Sequence, residues 1–150
     1  VQVPQEDVEE LCKYDLGIVL CPRSNLFLKV GSPPVEHYTK VERLGIGTDG
    51  LSSNFNLDFF EELRFFFLTF GNSLGKQAPF FTIYLATLGG ARALFLEEET
   101  GSIEKGKDAD LTFIRSENLS YDPYMSVISS SKDDVKLVMV KGNVILNNGN

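Results

Sequence analysis

Histidine is almost missing from this chain: His37 is the one imidazole among 150 residues, and tryptophan does not occur. A catalytic zinc takes three or so protein ligands, so a histidine-built metal site cannot be completed from these residues. His37 itself is expected on an exposed helix surface. Cysteine is equally scarce. Cys12 and Cys21 have no CxxC or paired spacing, which argues against a disulfide framework and reads as two reduced, ordinary buried thiols. Positive charge is short as well, with 14 Lys and Arg against 21 Asp and Glu and a formal net charge of -7. Without a dense basic stripe such a surface repels nucleic acid and anionic membranes, which leaves a small molecule as the fitting partner. No apolar run reaches the roughly 18 to 20 residues of a membrane span, because Glu61, Glu62 and Arg64 interrupt the richest stretch. The first residues are acidic and carry no basic-then-apolar signal pattern, so the cytoplasm is the expected location. Val1 in place of Met suggests a piece of a longer protein.

What is present is a hydrophobic content of 43%, enough for a sizeable core, and a regular alternation of helix and strand patterns. A helix is expected over 4–14, then a short buried strand at Ile18-Val19-Leu20-Cys21 closed by Pro22, and a loop at 23–25. Ser32, Pro33 and Pro34 start a helix running to about Glu42, and Leu44-Gly45-Ile46-Gly47 comes next as a second buried strand. That order is β-α-β with parallel strands. Asn54 and Asn56 are candidate caps for a long helix over 57–70, stopped by Gly71, and two more helices are expected over 78–86 and 88–96 with the Gly89-Gly90 pair allowing close approach. From Glu97 onward the texture turns to short β-type runs at 111–114, 135–140 and 144–146, with a hairpin at Lys141-Gly142-Asn143 and one short helix from Asp122-Pro123. The chain therefore divides into an α/β part, 1–96, and a β-rich part, 97–150.

The chemistry concentrates at Gly47-Thr48-Asp49-Gly50-Leu51-Ser52-Ser53-Asn54, where a strand ends in an acid followed by a small polar loop. In an α/β barrel the C-terminal strand ends form the active-site face, so a carboxylate placed there points into a site. The plainer reading is that Asp49 shapes an Asp-Gly turn. The wider pattern decides between them. Cys21-Pro22-Arg23-Ser24-Asn25-Leu26, Gly31-Ser32-Pro33-Pro34-Val35, Gly47-Thr48-Asp49-Gly50 with Ser53-Asn54, Ala86-Thr87-Leu88-Gly89-Gly90-Ala91-Arg92 and Gly101-Ser102-Ile103-Glu104-Lys105-Gly106 succeed one another in this order. In order and spacing they resemble the amidohydrolase deaminases, a group that includes chlorohydrolases and the methylthioadenosine, guanine and aminofutalosine deaminases. The wording around Arg23 and Asp49 most resembles the aminofutalosine subgroup.

The resemblance implies the last strands and helices of a (β/α)8 metal-dependent hydrolase barrel over 1–96, and a C-terminal segment of the attached β-sandwich domain over 97–150. It implies a divalent metal, zinc with iron as the other choice, held by histidines on earlier strands and by an Asp on the last one. Only that Asp has a counterpart here, at Asp49, with the double role of metal ligand and catalytic proton acceptor. A complete barrel needs roughly 250 residues, so the earlier strands and histidines are expected upstream of Val1. Arg23 has two readings, a bidentate contact to a substrate carboxylate or a surface Arg paired with a nearby acid. Asn25 and Ser53 complete the candidate substrate-side residues, as loop-shaping groups. The reaction implied is hydrolytic removal of an amino group from a purine-like ring, in a cytoplasmic homo-oligomer acting on a small molecule. A chlorohydrolase acting on a triazine-like ring and a catalytically inactive scaffold are the rival readings. The cytidine-deaminase design, whose zinc site needs HxE and PCxxC, is not this one, since neither motif occurs.

Overall fold

The computed structural model describes residues 3–115 and 122–149. Pro4 precedes α1 (Gln5–Leu11), whose one buried side chain, Val8, is its anchor to the core. Then come β1 (Ile18–Leu20), α2 (Pro22–Phe27), α3 (Val35–Tyr38) and β2 (Leu44–Ile46). The two strands pair in parallel with Leu20 opposite Ile46, so their C-terminal ends lie side by side. β2 is buried throughout, as a parallel strand should be, but Val19 of β1 is 46% exposed, which departs from the expectation of a strand covered on both faces.

Two local expectations change. Residues 23–25 are not a loop: Pro22 sits in the first turn of α2, where its missing N–H costs nothing, and helix begins directly after the strand. The helix expected over 33–42 shrinks to the four residues of α3.

α4 (Phe59–Leu74) starts from Asp58, not from Asn54 or Asn56, because the Asp58 side chain accepts the Phe60 N–H at 3.0 Å. Leu63, Phe66 and Phe70 recur at helical spacing and are buried, with the Phe66 and Phe70 rings 5.1 Å apart. The helix runs past Gly71 and ends at Gly75. Next are α5 (Ala78–Ala86) and α6 (Leu88–Ala93), and α6 lies against β2 so closely that a Cβ on Gly45 would stand 2.9 Å from the Gly90 Cα. Among the described residues no helix is long and apolar enough to cross a membrane.

The C-terminal strands β3 (Leu111–Ile114), β4 (Val135–Val140) and β5 (Asn143–Asn147) form an antiparallel sheet in the order β3-β4-β5. Lys141 and Gly142 both have positive φ, 49° and 77°, the backbone of a tight I′-type hairpin whose twist matches the strands it joins. α7 (Pro123–Ser129), capped by the Asp122 carboxylate on the Tyr124 N–H, does not stay with this sheet. It packs on α4 and α5, where Tyr124 meets Phe80 edge-on at 5.4 Å and Arg64 donates to the Ser130 carbonyl at 2.5 Å. α7 thus joins the helical layer, although it stands between β3 and β4 in sequence.

Candidate active site

Because β1 and β2 are parallel and in register, the residues just past Leu20 face those just past Ile46. On one side these residues form α2, and on the other they are Gly47-Thr48-Asp49. Asp49 has φ of 57°, a left-handed conformation that Asp tolerates better than most residues, and it turns the chain at the strand end. Its carboxylate is held from both sides. Ser24, 1% exposed in α2, donates its hydroxyl to Asp49 Oδ2 at 2.7 Å, and Ser53 donates to the same oxygen at 2.8 Å. The Ser24 hydroxyl first, then Ser53 and the Gly50 backbone, hold the Asp49 carboxyl below its usual range. The group is therefore a carboxylate at neutral pH. It is exposed at the strand end, and an ionised carboxylate has about four acceptor positions, so capacity remains for a cation. A divalent metal fits this donor.

The loop carrying Ser53 is itself fixed. Buried Asn54 donates Nδ2 to the Thr48 carbonyl at 2.9 Å and accepts the Phe55 N–H on Oδ1 at 2.9 Å, locking the residue before Asp49 to the loop after it.

Arg23 lies against the start of α4, largely buried. Its guanidinium, with the side chain 11% exposed, donates to Glu61 Oε2 at 2.7 Å, to Asn56 Oδ1 at 3.3 Å and to the Asp58 carbonyl at 3.3 Å, and lies 3.8 Å from Glu62 Oε2. Those partners anchor it to the start of α4. Asn25 lies half-buried beside Ser24 in α2.

Both cysteines and the histidine depart from expectation. Cys12 is exposed and Cys21 half-buried, so neither is the buried thiol its context suggested. Burial first, then the charges of Asp49 and Glu62, push the Cys21 thiol up, which favours the protonated form over the thiolate. His37 is half-buried, not exposed, with a buried Nδ1 that has no hydrogen-bond partner. It borders a cavity of about 330 Å³ with Gln5, Glu9, Cys12, Glu36 and Lys40. Among the described residues no group of three or more His, Cys, Asp and Glu side chains is arranged to hold a metal.

Three residues carry more of this site than their sequence context suggested: Ser24, Asn54 and Glu62. For Ser24 the usable signal was the parallel register, which sets the residues after Leu20 beside those after Ile46. For Glu62 there was none, since a charged residue in a Phe-rich helix reads as solvent-facing.

Comparison with known proteins fits this geometry. The profile of the amidohydrolase family matches residues 1–145, and the chain belongs to that family. It is 38% identical over 156 residues to a 5-methylthioadenosine/S-adenosylhomocysteine deaminase of Caldanaerobacter subterraneus, a match covering 97% of this chain and 36% of that protein. It is 40% identical over 135 residues to a 5'-deoxyadenosine deaminase of Methanobrevibacter smithii, covering 87% of this chain and 31% of that one. Among solved structures, an adenosine deaminase from Xanthomonas campestris with bound zinc superposes with a TM-score of 0.85 at 33% identity, over 98% of this chain and 36% of that one. The chain thus spans about a third of the length of these relatives.

Proposed function

We propose that these residues are the C-terminal third of a metal-dependent deaminase that hydrolyses the exocyclic amine of an adenosine-type nucleoside. The observation that carries the reading is the Asp49 carboxylate at the end of β2, ionised and held by the Ser24 and Ser53 hydroxyls. The names of the relatives support the substrate class, and the zinc in the Xanthomonas structure supports zinc as the metal. Asp49 would be this chain's ligand to that metal. A bound divalent ion supplies Lewis acidity, lowering the pKa of a coordinated water toward about 7. Asp49 accepts the proton of the attacking water and returns it to the departing ammonia, which leaves without charge build-up. The two serines keep its carboxylate aimed and deprotonated.

The test uses the full-length polypeptide that contains this segment. Asp49→Asn keeps the size of the side chain and one oxygen but removes the charge and the base, so turnover of adenosine-type substrates should fall at least the 10²- to 10⁴-fold typical of losing general base catalysis. Circular dichroism should be unchanged, because the carboxylate is exposed and packs no core. Near-normal turnover in the folded variant would remove Asp49 from the mechanism. A reading frame without His-x-His and further histidines ahead of Val1 would instead favour an inactive scaffold.

A further inference from the structure

Two segments meet past the C-terminal ends of β1 and β2: α2, which carries Ser24, and the chain from Gly47 to Asp58, which carries Asp49 and Ser53. One bridge between them is the pair of Ser24 and Ser53 hydroxyls on Asp49 Oδ2. Bonds to an exposed carboxylate compete with water, so this bridge alone is a weak tie. A second bridge joins the same two segments, and it is more buried. Arg23 directly precedes Ser24, and its side chain is 11% exposed. Its guanidinium donates through Nη2 to Glu61 Oε2 at 2.7 Å and to Asn56 Oδ1 at 3.3 Å, and through Nη1 to the Asp58 carbonyl at 3.3 Å. Asn56 donates its Nδ2 to the same Glu61 oxygen at 3.1 Å, while its Oδ1 also accepts the Asp58 N–H at 3.0 Å. Asn56 is thus held to Arg23 both directly and through Glu61. The Arg23 backbone N–H, in the first turn of α2 where helices leave such groups without a partner, donates to buried Glu62 Oε1 at 3.2 Å.

We propose that Arg23 is a positioning residue for Asp49: its guanidinium clamps the start of α2 to the Asn56-Asp58 stretch and so keeps the Ser24 and Ser53 hydroxyls converging on one carboxylate oxygen. Ser24 follows Arg23 in the chain, and Ser53 lies three residues before Asn56, in a loop whose Asn54 grips the Thr48 carbonyl. Opening the clamp lets α2 move against that loop, and the two donors of Asp49 move with their segments. The guanidinium suits the task because its planar fork reaches several acceptors at once. A lysine keeps the positive charge beside Glu61 and Glu62 but offers a single point donor that cannot span Glu61, Asn56 and Asp58 together. This role rests on the reading of Asp49 as metal ligand and proton acceptor, and two sets of measurements separate the one from the other.

Hydrogen exchange on the full-length polypeptide, stripped of metal by a chelator, reads the clamp without metal or substrate. The Gly47 N–H donates to the Leu20 carbonyl and the Ser53 N–H to the Gly50 carbonyl, so both amides report on the Asp49 turn. In Arg23→Lys they should exchange about tenfold to a hundredfold faster, the effect of losing one charge-assisted hydrogen bond on a local opening. The Phe70 amide in the interior of α4 should be unchanged. Unchanged exchange at Gly47 and Ser53, or equal acceleration along α4, overturns the proposal.

In the metal-loaded enzyme, Arg23→Lys should lower kcat about tenfold to a hundredfold with KM within about twofold, as expected when a group acting in the transition state is displaced. It should cause no further loss in an Asp49→Asn background, because both changes act through one carboxylate. A raised KM with unchanged kcat marks Arg23 as a substrate contact instead, and that result, or losses that simply add, overturns the positioning role alone. A normal kcat for Asp49→Asn itself overturns the reading of the site, and the exchange data then still decide whether Arg23 holds the turn. Should Arg23→Lys not fold, Asn56→Ala opens the loop side of the clamp while leaving Arg23 beside Glu61 and Glu62, and the same readouts apply.

Discussion

Gly89→Ala should destabilise the fold and slow the enzyme together, although alanine is the better helix former. In α6 the substitution alone favours the helix by up to about 1 kcal/mol. The structure opposes it. A Cβ on Gly89 would stand 2.5 Å from the Leu44 carbonyl oxygen of β2 and 3.0 Å from the Tyr84 carbonyl, both backbone atoms that cannot swing away. Ordinary contact begins at 3.4 Å, so helix and strand have to separate by about 0.9 Å. Overpacking of this kind costs about 1–3 kcal/mol, and a 2.5 Å approach to rigid backbone belongs at the upper end, so after the propensity gain a net loss of about 2 kcal/mol remains. In a domain of this size each kcal/mol lowers Tm by about 2–4 °C. Because β2 leads directly to Asp49, a shift approaching 1 Å also costs turnover, up to about 10²-fold. Gly71→Ala is the control: its Cβ would meet only the Phe67 ring at 3.6 Å and the Ala78 Cβ at 3.8 Å, so α4 should gain about 0.5–1 kcal/mol. Urea unfolding and steady-state kinetics on both variants check the contrast. A Gly89→Ala protein as stable as wild type with full activity would refute the argument that this contact sets the position of β2.

The 150-residue chain alone should lose zinc on dialysis, since one exposed carboxylate supplies only part of a coordination shell; stoichiometric zinc by metal analysis would contradict this. Phe66→Ala, at a fully buried position against Phe70, should cost about 3–5 kcal/mol in urea unfolding with an unchanged m-value, and a loss below about 1 kcal/mol would show that the site collapses freely. Asp110 accepts the Lys141 N–H at 2.7 Å and the Thr100 hydroxyl at 3.0 Å, which hold its carboxyl below the usual range. A lowered folded value means its contribution is present above about pH 4 and lost as pH falls below that. Asp110→Asn should therefore be less stable than wild type at neutral pH, with the gap closing in acid; a gap that widens in acid would reverse the assignment.

The elements fixed by local chemistry were readable in advance. The helix at Pro123–Ser129, the strand at Val135–Val140 and the Lys141-Gly142 turn all carry their signals in neighbouring residues: Asp before Pro, a short Val-rich apolar run, and Gly between two such runs. Asp49 was readable because its position at a strand end is a sequence property. Elements fixed by contacts distant in sequence were not. Nothing near Arg23 reveals that Asn56, Asp58, Glu61 and Glu62 surround it, because that cluster exists only once α4 crosses the start of α2. Glu62 was hidden for the same reason, its acidity suiting a wet helix face as well as a buried junction. His37 was misjudged because α1, whose Gln5 and Glu9 share its cavity, contacts α3 across a stretch of chain that no local pattern spans.

The exposed apolar surface bears on how the site is completed. β1 and β2 form a two-stranded parallel sheet, an arrangement that stable folds cover on both faces and extend at the edges. Here Val19 is half-exposed on β1, Leu26, Leu28 and Val30 lie open after it, and Phe55, 84% exposed, meets Phe27 edge-on. Scattered apolar residues on a surface need no explanation, but these come just after the ends of the two strands that bring Ser24 and Asp49 together. The face that positions the carboxylate is thus the face left uncovered. On the proposed reading, a deaminase barrel closes with strands beside β1 and β2, and that closure both buries this surface and brings histidine ligands to Asp49. On that reading, covering the sheet and completing a metal site around Asp49 are one event.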